Sequence, residues 1–121
     1  MEKIYNKLVR DNIIDIIKNN GEEPIYSILD DLSYVDCLEK KLYEEYLEVI
    51  DASGDDRIEE LADMLEVIEA LANTCNKTLD DVLNVKNNKK NKRGGFENKI
   101  FLEKFWQIKK IVYNYLCSEE I

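Results

Sequence analysis

The stretch Tyr43–Leu71, YEEYLEVIDASGDDRIEELADMLEVIEAL, decides how this chain folds. Apolar side chains at Leu38, Leu42, Tyr46, Val49 and Ile50 recur at helical spacing up to DASGDD, and Leu61, Met64, Ile68 and Leu71 recur beyond it. Such a period marks one face of a helix on each side. Between them Gly54 offers a positive φ and Asp55 a cap, so the segment predicts two antiparallel helices around a tight turn. Its acids fall in two sets: Glu44, Glu45 and Glu48 before the turn, Glu60 and Asp63 after it.

Outward from this hairpin, glycine and the single proline mark the boundaries. Asp11 caps a short helix over about Asn12 to Asn19, closed by Gly21. Pro24 introduces IYSIL, read as a short extended stretch, and Asp30 with Asp31 starts the helix that ends at Asp51. The next helix covers about Asp56 to Asn73. Thr78 and Asp81 then form an N-terminal capping pattern for a helix from about Leu79 to Lys92, which Arg93-Gly94-Gly95 stops. From Phe96 onward the pattern is again largely helical, and Trp106 is expected in a packing stripe with Ile108, Val112 and Tyr113. The expected fold is all-α: one domain over residues 1–121, a small bundle of four to five helices with a short N-terminal extended stretch.

Composition narrows the chemistry. The chain has 121 residues, 45% hydrophobic and 36% charged, the balance of a soluble domain with one modest core. No apolar run approaches the roughly 20 residues needed to span a bilayer, and the N-terminus lacks a signal-peptide core, so a cytoplasmic protein without a membrane partner is expected. A net charge of −9 argues against nucleic acid as a partner. There is no histidine, and the three cysteines Cys37, Cys75 and Cys117 form no CxxC pair. Histidine-based zinc sites and histidine bases are thereby excluded, no zinc ribbon or disulfide scaffold is suggested, and the cysteines are expected as buried small apolar groups. Any metal must be held by oxygen, which favours Mg²⁺ or Mn²⁺.

At 100° per residue, Glu45 falls on the stripe of Leu38, Val49 and Ala52, with Glu48 and Glu44 progressively toward the polar side. Glu60 and Asp63 share a stripe with Val67 and Leu71, whereas Glu59, Glu66 and Glu69 lie on a solvated arc. Anions that continue an apolar stripe are costly, and like charges brought close repel. Carboxylates spaced i, i+3 share one helix face, so two such helices can offer four ligands to one hard cation. The plain alternative is ordinary surface charge, for ExxE and ExxD also occur by chance in acidic proteins.

The pattern Glu44-Glu45-x-x-Glu48 followed by Glu60-x-x-Asp63 resembles the EExxE…ExxD signature of the all-α NTP pyrophosphatases. That superfamily includes MazG-like proteins, dimeric dUTPases and phosphoribosyl-ATP pyrophosphohydrolases. YNKLVRDNI (Tyr5–Ile13) and RGGFENKIFL (Arg93–Leu102) are similar to segments of one MazG-related branch, so the likeness covers about residues 4–102. Members of that branch often carry Pro where this chain has Ile14, and residues 103–121, read as a C-terminal helix, lie outside the match. The resemblance implies a Mg²⁺-dependent enzyme, with Mn²⁺ able to substitute, that hydrolyses a nucleoside triphosphate to a monophosphate and pyrophosphate. It also implies a homo-oligomer, a dimer or tetramer. Carried onto this chain, the metal ligands are Glu45, Glu48, Glu60 and Asp63, with Glu44 as a fifth catalytic acid.

A triphosphate needs cations around it. Lys7 and Arg10 are the first candidates for its phosphates, followed by Arg93 and then Lys89 and Lys92. Lysines near a helix C-terminus are also favourable through the helix dipole alone. Tyr43, Tyr46, Phe96, Phe101 and Trp106 can stack on a base, though core packing is the commoner role for each. Two other functions fit the same residues: phosphoribosyl-ATP pyrophosphohydrolysis in histidine biosynthesis, and a non-catalytic acidic helical module that binds a basic partner.

Overall fold

The computed structural model describes residues 1–107, and four α-helices supply all the regular structure found there, with no strand among the described residues. They are α1 (Ile13–Asn19), α2 (Asp31–Asp51), α3 (Gly54–Thr74) and α4 (Leu79–Arg93). No helix among the described residues is long and apolar enough to cross a membrane.

The helix ends follow from local chemistry. Asp30 caps α2, its carboxylate accepting from the Ser33 amide at 2.7 Å. This bond favours the ionised form and holds the Asp30 carboxyl below its usual range. At α4 the Thr78 amide donates to Asp81 Oδ2 at 2.8 Å and the Asp81 amide donates to Thr78 Oγ1 at 3.2 Å, the reciprocal pair of a capping box. Gly21, at φ +78°, ends α1: its amide donates to the Lys18 carbonyl and the Glu22 amide to that of Ile17. The expected cap at α1 is corrected. Asn12, not Asp11, occupies the N-cap position, and no side chain bonds there, because Asn12 already has helical dihedrals (φ −81°, ψ −6°).

Between α2 and α3 only Ala52 and Ser53 intervene, and Gly54 takes φ +58° as α3 begins. α3 thus starts before the expected Asp56, with Asp55 in its first turn rather than as a cap. Arg57 Nε donates to the Ala52 carbonyl at 2.8 Å, so α3 supplies the donor that the C-terminus of α2 lacks.

The chain falls into two units, Met1–Asn87 and Asn88–Ile121. In the first, α2 packs on α3. Leu38 (3% exposed) and Val67 (7%) are its buried apolar side chains, and Glu45 (9%) is buried beside them. Of the expected four to five helices, four are present among the described residues, and the packed pair is α2 with α3. Tyr46 and Ile50, placed on the core stripe from their spacing, are exposed because a single helix neighbour covers only one arc of α2.

In the second unit the expected helix from Phe96 does not form as far as Gln107. A turn follows Gly94 and residues 100–107 carry no regular structure. A helical period predicts a helix only where its apolar face is covered, and Phe96, Phe101 and Trp106 are exposed. The packing stripe of Trp106 with Ile108, Val112 and Tyr113, and residues 108–121 of the expected C-terminal helix, lie outside the described residues. Cys75 is exposed and Cys37 half-buried, so neither is the buried group expected, and Cys117 lies outside the described residues.

Candidate metal centre

The turn between α2 and α3 folds the two acidic sets onto each other. One carboxylate oxygen each from Glu45, Glu60 and Asp63 lies within 4.8 Å of the others. Glu45 comes from the buried face of α2, one stripe with Leu38. Glu60 and Asp63 are half-buried one turn apart on α3, on the stripe that ends in Val67. The hydrophobic contact that drives the hairpin together therefore also drives the anions together.

The titration of these groups records the crowding. Glu45 is pushed up from the ordinary carboxylate range, first by burial and next by the charge of Asp63; Glu44 and Glu60 add to this and Lys41 opposes it. Glu60 is pushed up as well, first by partial removal from water, then by the charges of Glu48 and Asp63. A carboxylate held among others in this way gains most from a nearby cation. The donor set consists of hard anionic oxygens alone, which suits Mg²⁺ or Mn²⁺ and offers nothing to a thiophilic metal. The residues thus fit the ion that the family resemblance implies.

Of the expected ligands, Glu48 is exposed and stands outside the group of three, although its charge bears on Glu60. Glu44 is half-buried and paired: Lys7 Nζ donates to its Oε1 at 3.1 Å, and Lys41 Nζ lies 3.8 Å from its Oε2. Arg10 donates to Asp63 Oδ1 through Nη2 at 2.7 Å. Lys7 and Arg10 therefore meet carboxylates of the acidic hairpin. Lys92 and Arg93 close the last turn of α4 in the second unit, where Lys90 lies 3.8 Å from Glu97. Among the base-stacking candidates, Tyr43 and Tyr46 stack on each other with centroids 6.0 Å apart.

One residue escaped the sequence reading. Lys41 sits 3.9 Å from Glu45 Oε1 as well as beside Glu44, and is itself largely covered. Its signal was available, because Lys41 precedes Glu44 by three residues and Glu45 by four.

Comparison with models of protein families, with curated proteins and with solved structures gave no match.

Proposed function

We propose that this chain is a cytoplasmic, Mg²⁺-dependent nucleotide pyrophosphohydrolase, cleaving a nucleoside triphosphate to a monophosphate and pyrophosphate. The observation that carries the proposal is the convergence of Glu45, Glu60 and Asp63 from two helices, one of them buried and two of them with raised pKa. Three anions drawn together by the packing of an apolar stripe cost folding energy that a solvated acidic face does not. The motif spacing and its two flanking segments supply the reaction class by resemblance.

Glu45, Glu60 and Asp63 would hold the ion, with Glu48 as the further ligand that the family resemblance implies. When bound, Mg²⁺ neutralises phosphate charge and polarises the reacting water. Glu44 would orient the attacking water in line with the leaving pyrophosphate oxygen. Lys7 and Arg10, which already meet carboxylates of the hairpin, would meet the phosphates. Catalysis is then mostly positioning and electrostatic stabilisation.

The working form is a homo-oligomer. Tyr43, Tyr46, Leu47 and Ile50 are exposed at i, i+3, i+4 and i+7 on α2, an apolar stripe that a second copy would cover.

The test is hydrolysis of a panel of nucleotides with Mg²⁺ or Mn²⁺, with pyrophosphate and orthophosphate detected separately. Pyrophosphate release that Glu60→Gln abolishes supports the proposal. Orthophosphate as the sole product, or no release from any nucleotide, overturns it.

A further inference from the structure

We infer that the segment Lys7–Arg10 is a displaceable counter-ion for the acidic hairpin: an entering divalent cation takes Asp63 from Arg10 and frees both basic side chains for the phosphates. The inference rests on the metal-site proposal above and adds a step to it.

Two cations three positions apart in the chain reach two different helices. Lys7 pairs with Glu44 on α2 at 3.1 Å, and Arg10 pairs with Asp63 on α3 at 2.7 Å. Both contacts span long stretches of chain, 37 and 53 residues, so neither follows from local helix geometry. The segment that carries them has no regular structure of its own. Asn6, at φ +46°, turns the chain just before Lys7, a conformation that asparagine tolerates. After Arg10 the chain passes at once into α1, the Ile13 amide donating to the Arg10 carbonyl at 3.0 Å.

The hold is weak by construction. All four partners keep substantial solvent exposure, and such pairs are screened by water. Asp63 nevertheless belongs to the group of three carboxylates, so the guanidinium and a divalent cation draw on the same side chain. Lys41, fixed on α2, already offsets part of the charge. A doubly charged ion at these oxygens repels Arg10 at close range, whereas Lys41 is constrained by its own helix. Arg10, exposed and held by no helix of its own, is the partner that leaves. It is already placed beside the site to which a metal-bound triphosphate would bring its charge, and a guanidinium suits phosphate as well as carboxylate.

The test measures Mn²⁺ binding to the full chain without nucleotide, following the free ion by electron paramagnetic resonance. Arg10→Gln is expected to bind Mn²⁺ about two- to five-fold tighter than wild type, the range set by losing one exposed ion-pair competitor. Lys18→Gln, the same charge change away from these pairs, is expected to match wild type. Trypsin cleavage after Lys7 and Arg10 is expected to quicken with Mn²⁺ in wild type and not in Asp63→Asn. Equal or looser Mn²⁺ binding by Arg10→Gln, or cleavage that Mn²⁺ leaves unchanged, overturns the displacement and leaves the metal site standing. Absence of Mn²⁺ binding in every variant overturns both.

Discussion

Arg10 and Asp63 are separated by 53 residues of sequence and 2.7 Å of space, the guanidinium donating to a carboxylate that also faces Glu45 and Glu60. One side chain thus joins an ion pair and an acidic cluster. Replacing Asp63 by Asn tests the two roles apart. The pair is exposed and worth about 0.2–1 kcal/mol, so thermal stability in chelator is expected to change little. The rise in Tm on adding Mg²⁺ is expected to vanish. Scanning fluorimetry with and without Mg²⁺ reads both; an undiminished Mg²⁺ increment would remove Asp63 from the ligand set.

Glu45 gives a pH prediction with a definite sign. Its folded pKa, like that of Glu60, stands above the ordinary value near 4.5. Between the two values the folded state binds more protons than the unfolded state, so these groups destabilise the metal-free protein at neutral pH. That penalty is relieved as pH falls through the raised values toward 4.5. Metal binding needs the ionised form, so the Mg²⁺ increment in Tm falls over the same interval. Glu45→Gln is expected to raise Tm in chelator by a few °C and to flatten both dependences. Thermal scans from pH 7 to 4.5, with and without Mg²⁺, check this; a wild-type Mg²⁺ increment that grows toward low pH contradicts it.

Leu38 anchors the α2–α3 contact at 3% exposure. Leu38→Ala is expected to cost about 2–5 kcal/mol, most of what a hairpin with so small a core can hold. Far-ultraviolet circular dichroism during urea unfolding measures the loss. A shift no larger than that of an exposed leucine, Leu32→Ala, would mean that the core lies elsewhere.

The parts of this fold that were legible in sequence are those decided by neighbours in the chain. Asp30 and Ser33, or Thr78 and Asp81, meet across three residues, so their caps follow from residue type and spacing. Gly54 and Gly94 adopt positive φ where a helix had to begin or stop. The inward pull on Glu45, Glu60 and Asp63 was legible for a related reason, since each continues the stripe of a buried Leu38 or Val67. What the sequence could not reveal depends on distant partners. Among the described residues the periodic run from Phe96 leaves Phe96, Phe101 and Trp106 exposed and stays irregular to Gln107. Tyr46 and Ile50 keep the correct helical period yet face outward. The carboxylates that Lys7 and Arg10 would find were likewise hidden, because no local rule spans 37 or 53 residues.

The exposed α2 stripe bears on assembly. Ile50 is 61% exposed beside Leu47 and Tyr46, and burying such a surface favours self-association. Ile50→Glu is expected to shift the chain from an oligomer to a lighter species, with helix content kept. Sedimentation velocity of wild type and variant decides; a wild-type monomer, or a variant that sediments as wild type does, contradicts assembly through this stripe.

The most direct test of the central claim is binding of an α,β-methylene nucleoside triphosphate, which cannot be cleaved between its first two phosphates, in Mg²⁺ and in chelator. The carboxylates repel phosphate unless a divalent cation lies between them, so binding is expected in Mg²⁺ and not in chelator. Glu60→Gln is expected to abolish the difference. Equal affinity in Mg²⁺ and in chelator would contradict the claim that Glu45, Glu60 and Asp63 hold a metal against a nucleotide.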